Sequence, residues 1–282
     1  MQPETSIART VRESLRLTTL PRLELQMLLG HVMSRSRAWL IAHDDEVLSA
    51  DCHASFLQLC ARRESGEPMA YLLGYREFMA LEFEVSPAVL IPRPETELLV
   101  NEVLAMIGPI DHPRILDLGT GSGAIAVSLA HARRDASVWA TDISADALAV
   151  ACRNAANHGV DVQFLQGSWF EALNAGVVVD GFDVIVSNPP YIAQNDQHLR
   201  QGDLRYEPSI ALTDQADGLS AYRAMVMGAP RYLGQGGSLV VEHGFDQGAL
   251  VSELFKAAGF DHIKTLPDLA GHPRVTTGSY NG

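Results

Sequence analysis

From residue 113 onward, short apolar runs and longer amphipathic stretches take turns along the chain. Apolar runs at 114–118, 137–140, 162–165, 182–187 and 238–242 have the length of buried strands. Between and after them, apolar residues at helical spacing predict helices over 124–132, 144–157, 219–232 and 247–258. Two final strands, about 260–266 and 274–280, have no helix between them, which suits an antiparallel pair. Alternation of this kind predicts an α/β fold: a mainly parallel sheet with helices on both faces.

The first 75 residues have a different pattern and read as all-helical. Pro21 suits a first helical residue, followed by apolar Leu23, Met27 and Val32. Ser49 can cap a helix carrying Phe56, Leu57 and Cys60 that frays near Gly66, and Pro68 can start another short turn. Residues 77–85 hold two strand-like runs with Phe78, Leu81, Phe83 and Val85, then Ser86-Pro87 and Pro92-Arg93-Pro94 punctuate the chain. The expected organisation is therefore a helical domain at 1–75, a β-hairpin linker at 76–93 and an α/β domain at 94–282. A helix over 94–106 opens the last, with Glu95 and Glu97 in its first turn, where negative charge is favourable.

Composition narrows the partners. The net charge is −13, of which residues 1–85 carry −3, and no basic stripe appears, so direct binding to a phosphate backbone is not expected. Lys256 and Lys264 are the two lysines among 21 basic residues, a bias for which we have no functional account. No apolar stretch approaches the ~20 residues needed to cross a bilayer, and residues 1–16 lack the apolar core of a signal peptide. Cys52, Cys60 and Cys152 are odd in number and without CxxC spacing, which suits reduced, buried thiols in a cytoplasmic protein. The ten His residues show no paired ligand spacing, so no metal is expected.

The chemistry concentrates in two places. Asn188-Pro189-Pro190-Tyr191 follows the strand at 182–187, and its two prolines make a stiff, extended turn. An Asn amide oxygen and a Pro carbonyl side by side offer two acceptors in fixed geometry, which suits a planar NH2 group. Alkylation of an amide or aromatic amine nitrogen is the indicated reaction. The second place is Gly119-Thr120-Gly121-Ser122-Gly123, directly after the strand at 114–118. Its GxGxG spacing differs from the GxGxxG of a dinucleotide site, which disfavours a nicotinamide oxidoreductase. Asp142, at the end of the next strand, can accept both hydroxyls of a ribose. Glycine loop, acid and NPPY turn together indicate S-adenosylmethionine as alkyl donor.

Several stretches resemble one family. Ile91-Pro92-Arg93-Pro94-Glu95-Thr96-Glu97, Leu116-Asp117-Leu118 with the glycine loop, and Ser187-Asn188-Pro189-Pro190-Tyr191-Ile192 are joined by Arg205-Tyr206-Glu207-Pro208, Glu242-His243-Gly244 and Asp268-Leu269-Ala270-Gly271. Together they resemble the peptide chain release factor N5-glutamine methyltransferases, the HemK/PrmC family, over essentially the whole chain. The resemblance implies a seven-strand, Rossmann-like class I methyltransferase domain behind a small helical bundle that grips the substrate. It implies N5-methylation of the glutamine in the GGQ motif of bacterial class 1 release factors, with S-adenosyl-L-homocysteine as product. Gly119, Thr120, Gly121, Ser122 and Gly123 would line the methionine portion, Asp142 would hold the ribose and Trp169 would lie near the adenine. Asn188, Pro189, Pro190 and Tyr191 would receive the glutamine, and Asn188 would also face the cofactor. The expected state is a monomer. Glu242 and His243 read as sheet-end packing, and Arg93 and Glu95 as either helix-end charges or site residues. Two other function classes remain at this point: amino-methylation of adenine or guanine in nucleic acid, and a non-catalytic protein that binds S-adenosylmethionine or assembles with the translation machinery.

Overall fold

The computed structural model describes residues 9–173, 181–200 and 202–282. Two compact units divide the chain, Met1–Gly74 and Tyr75–Gly282. The first is helical: α1 (Val11–Ser14), α2 (Arg22–Met33), α3 (Arg37–Ala42), α4 (Ala50–Glu64) and α5 (Met69–Leu73). Pro21 and Pro68 stand just before α2 and α5, and the Ser49 hydroxyl accepts the backbone N–H of Cys52 at 3.2 Å to start α4. Helices α1 and α3 escape a periodicity reading because they are too short to show one. Local caps hold them instead: Thr10 and Glu13 exchange hydrogen bonds around the start of α1, and the Ser36 hydroxyl caps α3. Leu25, Leu28, Leu29, Leu40, Phe56 and Cys60 fill the core of this unit. The expected helical region starts at residue 1, and residues 1–8 lie outside the described residues.

The second unit begins with a hairpin, β1 (Tyr75–Phe78) and β2 (Leu81–Glu84). This hairpin is part of the second unit's core. Phe78 and Phe83 are fully buried there, Glu97 accepts the Met79 N–H at 2.9 Å, and Asn154 accepts the Glu84 N–H at 2.7 Å. Two aromatic side chains on one face of a short hairpin are enough apolar area to anchor it.

The remaining strands are β3 (Arg114–Leu118), β4 (Ser137–Asp142), β5 (Gln163–Gln166), β6 (Phe182–Ser187), β7 (Leu233–Glu242), β8 (Asp261–Pro267) and β9 (Pro273–Ser279). They form one sheet in the order β5-β4-β3-β6-β7-β9-β8. The pairs from β5 to β7 are parallel, and β9 runs antiparallel to both β7 and β8. Helices α6 (Thr96–Ile107), α7 (Ala124–Ala132), α8 (Ala145–Asn157), α9 (Ser209–Leu212), α10 (Ser220–Gly228) and α11 (Gly248–Ala257) complete the unit. Strand residues alternate between two apolar layers: Ile115, Val184 and Val186 pack with α6 and α7, while Leu116, Leu118 and Ile185 pack with α10 and α11. After β5 the chain returns to the other side of β3 as β6, so a crevice opens between the C-terminal ends of β3 and β6.

Three expectations change. The helix expected over 219–232 stops at Gly228, because Pro230 has no N–H and clashes with a preceding carbonyl; a 3-10 turn, Ala229–Arg231, replaces it. Strand β7 starts at Leu233, five residues earlier than expected, through pairing of Phe182 with Leu233. Cys152 is exposed, not buried. Helix α8 buries Ala147, Val150, Ala151, Asn154 and Ala155, and the helical repeat puts position 152 on the opposite face.

Candidate active site

The glycine loop is a turn that only glycines accommodate easily. Gly119, Gly121 and Gly123 have φ of +73°, +56° and +80°, values that cost other residues about 1–2 kcal/mol each. The N–H groups of Gly119 and Thr120 both donate to the Thr141 carbonyl, at 2.8 and 2.9 Å, tying the loop to the end of β4. A side chain on Gly121 would meet nothing within 4 Å, so this backbone faces open space. Asn154 braces the loop from α8, donating to the Ser122 carbonyl at 2.8 Å and to the Glu84 carbonyl at 3.0 Å.

Asp142 ends β4 beside that loop. One carboxylate oxygen accepts the Gly121 N–H and the other the Ser144 N–H, both at 2.9 Å. The Ser144 hydroxyl caps α8 through Ala147, so the carboxylate is not consumed in capping. Burial raises the Asp142 pKa against these backbone donors. Asp117, below the loop, is wholly buried, and burial pushes it up to about 7 although the Thr120 hydroxyl donates to it at 2.6 Å. Trp169 has a positive φ of 48°, and its ring lies 3.4 Å from where a side chain on Gly119 would begin. The Thr141 hydroxyl donates to its carbonyl at 3.2 Å.

The NPPY turn leaves β6 next to this. Ser187 ties the strand end to β3 by donating to the Leu118 carbonyl at 2.7 Å. Asn188 is half-buried and donates Nδ2–H to the Thr96 hydroxyl at 3.0 Å. Gln247 donates to the carbonyls of Tyr191 and Gly218, at 3.0 and 3.1 Å, clamping the far end of the turn. Burial pushes the Tyr191 phenol up to about 12, so it is a neutral hydroxyl at physiological pH. Glu207 accepts the Ile91 N–H at 3.0 Å and pairs with Arg93, with its own side chain fully buried. Two separate sequence motifs, around residues 91–97 and 205–208, are thus joined by one part-buried charge contact in which the Glu207 carboxylate is the buried partner.

A cavity of about 450 Å³ collects these parts. Gly119, Thr120, Gly121, Ser122, Asp142 and Trp169 line it, as do Asn188 and Pro190. A smaller cavity of about 60 Å³ touches Pro189 and Tyr191. Asn188, Leu90, Arg93 and Ala211 line both cavities. Gly123 packs against α8, where a side chain would begin 3.1 Å from the Ala151 Cβ, and it does not line either cavity. S-adenosylmethionine fits the larger cavity's chemistry: a backbone face free of side chains at Gly121, an acid with unused lone pairs and an indole wall. Thr96, Glu207 and Asp214 also shape this site, and sequence reasoning did not single them out as site residues. Asp214 accepts from the N–H groups of Ala216, Gly218 and Ser220, an Asx-type hold that fixes one wall. The Asp214 to Ser220 spacing is the one signal that could have disclosed it.

The Methyltransferase small domain family matches residues 94–203, and the PrmC N-terminal domain family matches residues 8–74. A release factor glutamine methyltransferase from Bordetella pertussis is 53% identical over 259 residues, covering 92% of this chain and 95% of its own length. The chain belongs to the release factor glutamine methyltransferase family. A relative of the same name from Burkholderia pseudomallei is 50% identical over 97% of both chains, and one from Neisseria gonorrhoeae is 50% identical over 96% of this chain and 98% of its own. The fold is shared more widely. A methyltransferase from Pyrococcus furiosus superposes with a TM-score of 0.54 at 20% identity, over 80% of this chain and 98% of its own. The class I methyltransferase fold read from the sequence is therefore the observed one, and the family's enzymes are methyltransferases.

Proposed function

We propose that this enzyme methylates the side-chain amide nitrogen, N5, of the glutamine in the GGQ motif of bacterial class 1 release factors, using S-adenosyl-L-methionine. The observation that carries the reading is the position of Asn188, which lines both the large cavity and the small one. A nucleophile held by Asn188 would stand between donor space and substrate space. The named relatives support a release factor glutamine as substrate, and a nucleic-acid amine is not favoured. A net charge of −13 agrees with a protein substrate.

An amide nitrogen is a weak nucleophile because its lone pair is delocalised into the carbonyl. The Asn188 Oδ1 and the Pro189 carbonyl would accept its two N–H bonds, turning the lone pair toward the large cavity. Both acceptors also favour the positive charge that develops on nitrogen. Held by the glycine loop, Asp142 and Trp169, S-adenosylmethionine would supply an activated methyl group, with its sulfur as the leaving group. The substrate nitrogen then releases one proton to water, so no strong base is needed in the site. The neutral Tyr191 would wall the smaller cavity, and Asp142 and Trp169 would hold the ribose and adenine. We infer a cytoplasmic monomer; no helix among the described residues is long and apolar enough to cross a membrane.

The test is transfer of labelled methyl to a purified bacterial release factor, beside the same factor with Gln of the GGQ motif changed to Ala. Label on the intact factor alone supports the reading; label on nucleic acid alone overturns it. Asn188→Ala should lower kcat by about 100-fold or more while S-adenosylhomocysteine affinity stays within a few fold.

A further inference from the structure

Arg93 reads from sequence as either a helix-end charge or a site residue, and its place in the fold narrows that choice. It stands between Pro92 and Pro94, and a residue before proline is confined to extended backbone. Its carbonyl accepts the Thr96 N–H at 3.1 Å, which ties this stretch to the start of α6. Its Nη2 donates to Oε1 of Glu207, whose Oε2 takes the Ile91 N–H at 3.0 Å. The Glu207 side chain is fully buried, while the Arg93 side chain is 30% exposed. One arm of the guanidinium is thus fixed, and its Nε and Nη1 donors have no partner among the described residues.

The larger cavity has a use for such a group. Among the described residues that line it, three carry charge: Arg93, Asp142 and Asp214. Asp142 is assigned to the ribose. Asp214 has no capacity left: it accepts the N–H groups of Ala216, Gly218 and Ser220 and the Ser220 hydroxyl, which fills its roughly four lone-pair positions. The methionine end of S-adenosylmethionine carries a carboxylate, and a carboxylate leaving water needs a cation or hydrogen-bond donors.

We propose that Arg93 binds the α-carboxylate in the methionine portion of S-adenosylmethionine, with Glu207 as the positioning residue that holds its guanidinium. This rests on the reading of the larger cavity as the cofactor site. A planar fork can give one arm to Glu207 and another to a second carboxylate, which the point charge of a lysine does less well. Arg93 also lines the smaller cavity. There a guanidinium on the substrate amide oxygen would draw the nitrogen lone pair further into the carbonyl, the reverse of what methyl transfer needs. The rival site for the carboxylate is backbone: Ala124 and Ile125, the first residues of α7, line the same cavity.

The test is calorimetric titration of the enzyme with two ligands, without release factor. One is S-adenosylhomocysteine and the other is its decarboxylated analogue, which lacks that carboxylate alone. Wild type should bind S-adenosylhomocysteine about tenfold or more tighter than the analogue. In Arg93→Met that preference should fall below threefold, while affinity for the analogue stays within threefold of wild type. An Arg93→Met enzyme that keeps the wild-type preference overturns the proposal and leaves the carboxylate to α7. Equal loss of both ligands overturns it as well, because a merely structural role would weaken the two alike. Arg93→Met leaves the buried Glu207 unpaired; if it does not fold, Arg93→Met combined with Glu207→Gln is read by the same criteria. A wild type with no preference between the ligands overturns the proposal and leaves the cofactor site standing. A wild type that binds neither ligand overturns the cofactor reading of the cavity, and the proposal with it.

Discussion

Replacing Asp142 by Asn isolates what one carboxylate does for cofactor binding. An ionised carboxylate offers about four lone-pair positions. Two are used, by the N–H groups of Gly121 and Ser144, each at 2.9 Å. The remainder are available on the side of the large cavity that Asp142 lines, enough for the two vicinal hydroxyls of a ribose. A hydrogen bond to a charged group contributes about 1.5–3 kcal/mol. Losing two at the lower value weakens binding by about 3 kcal/mol, or ~150-fold in Kd. Asn cannot substitute, because its NH2 must face either a backbone N–H or a hydroxyl that needs an acceptor. Fold stability should change far less, by about 1 kcal/mol, since the Ser144 hydroxyl still caps α8. Calorimetric titration with S-adenosylhomocysteine reads the affinity, and urea unfolding of the free protein reads the stability. A folded Asp142→Asn variant that binds within threefold of wild type would refute the assignment of Asp142 to the ribose.

Gly121 and Gly123 should separate function from stability. Both have positive φ, but a Cβ at 123 would sit 3.1 Å from the Ala151 Cβ and 3.3 Å from its Cα, whereas one at 121 meets nothing within 4 Å. Gly123→Ala is therefore expected to lose about 2 kcal/mol or more in urea unfolding, conformational cost plus crowding. Gly121→Ala should lose about 1–2 kcal/mol and weaken S-adenosylhomocysteine binding more than it destabilises; equal unfolding losses in the two variants would contradict this. Stability should also depend on the buried acids. Glu242 and Asp117 have folded pKa values of about 7 against ordinary values of 4.5 and 3.8, both raised first by burial. The native state keeps protons that the unfolded chain has already released, so each contribution is present below about pH 4 and is lost as pH rises toward 7. Above pH 7 the Glu242 difference amounts to about 3 kcal/mol. Glu242→Gln should therefore gain more stability at pH 8 than at pH 5, and a larger gain at pH 5 would show the sign to be wrong.

The division of labour between sequence and tertiary structure follows the range of the physics involved. Sequence alone was enough for the features that act through local backbone and local chemistry. Alternating apolar runs announce the strands and helices, because burial on one or both faces is written in spacing. The three loop glycines and the paired prolines announce their turns, because only those residues tolerate or impose such backbone. Asn188 and Asp142 were legible as well, standing where strands end in an α/β fold. The resemblance of whole motifs then supplied the family, but not why its outlying motifs matter. Arg93 with Glu207 and Thr96 with Asn188 are separated by 114 and 92 positions in the chain. No periodicity or propensity spans such distances. Helix α6 packs against β6 and β7, which brings its first turn and the residues just before it beside the chain that follows β6. The same holds for the hairpin at 75–84, whose short strands, followed by Pro87, Pro92 and Pro94, read as a linker until Phe78 and Phe83 are seen in the core. Glu242 carries the point furthest. Its position at a strand end is plain from sequence, yet its burial and its raised pKa arise only when distant segments close around one carboxylate and exclude water from it.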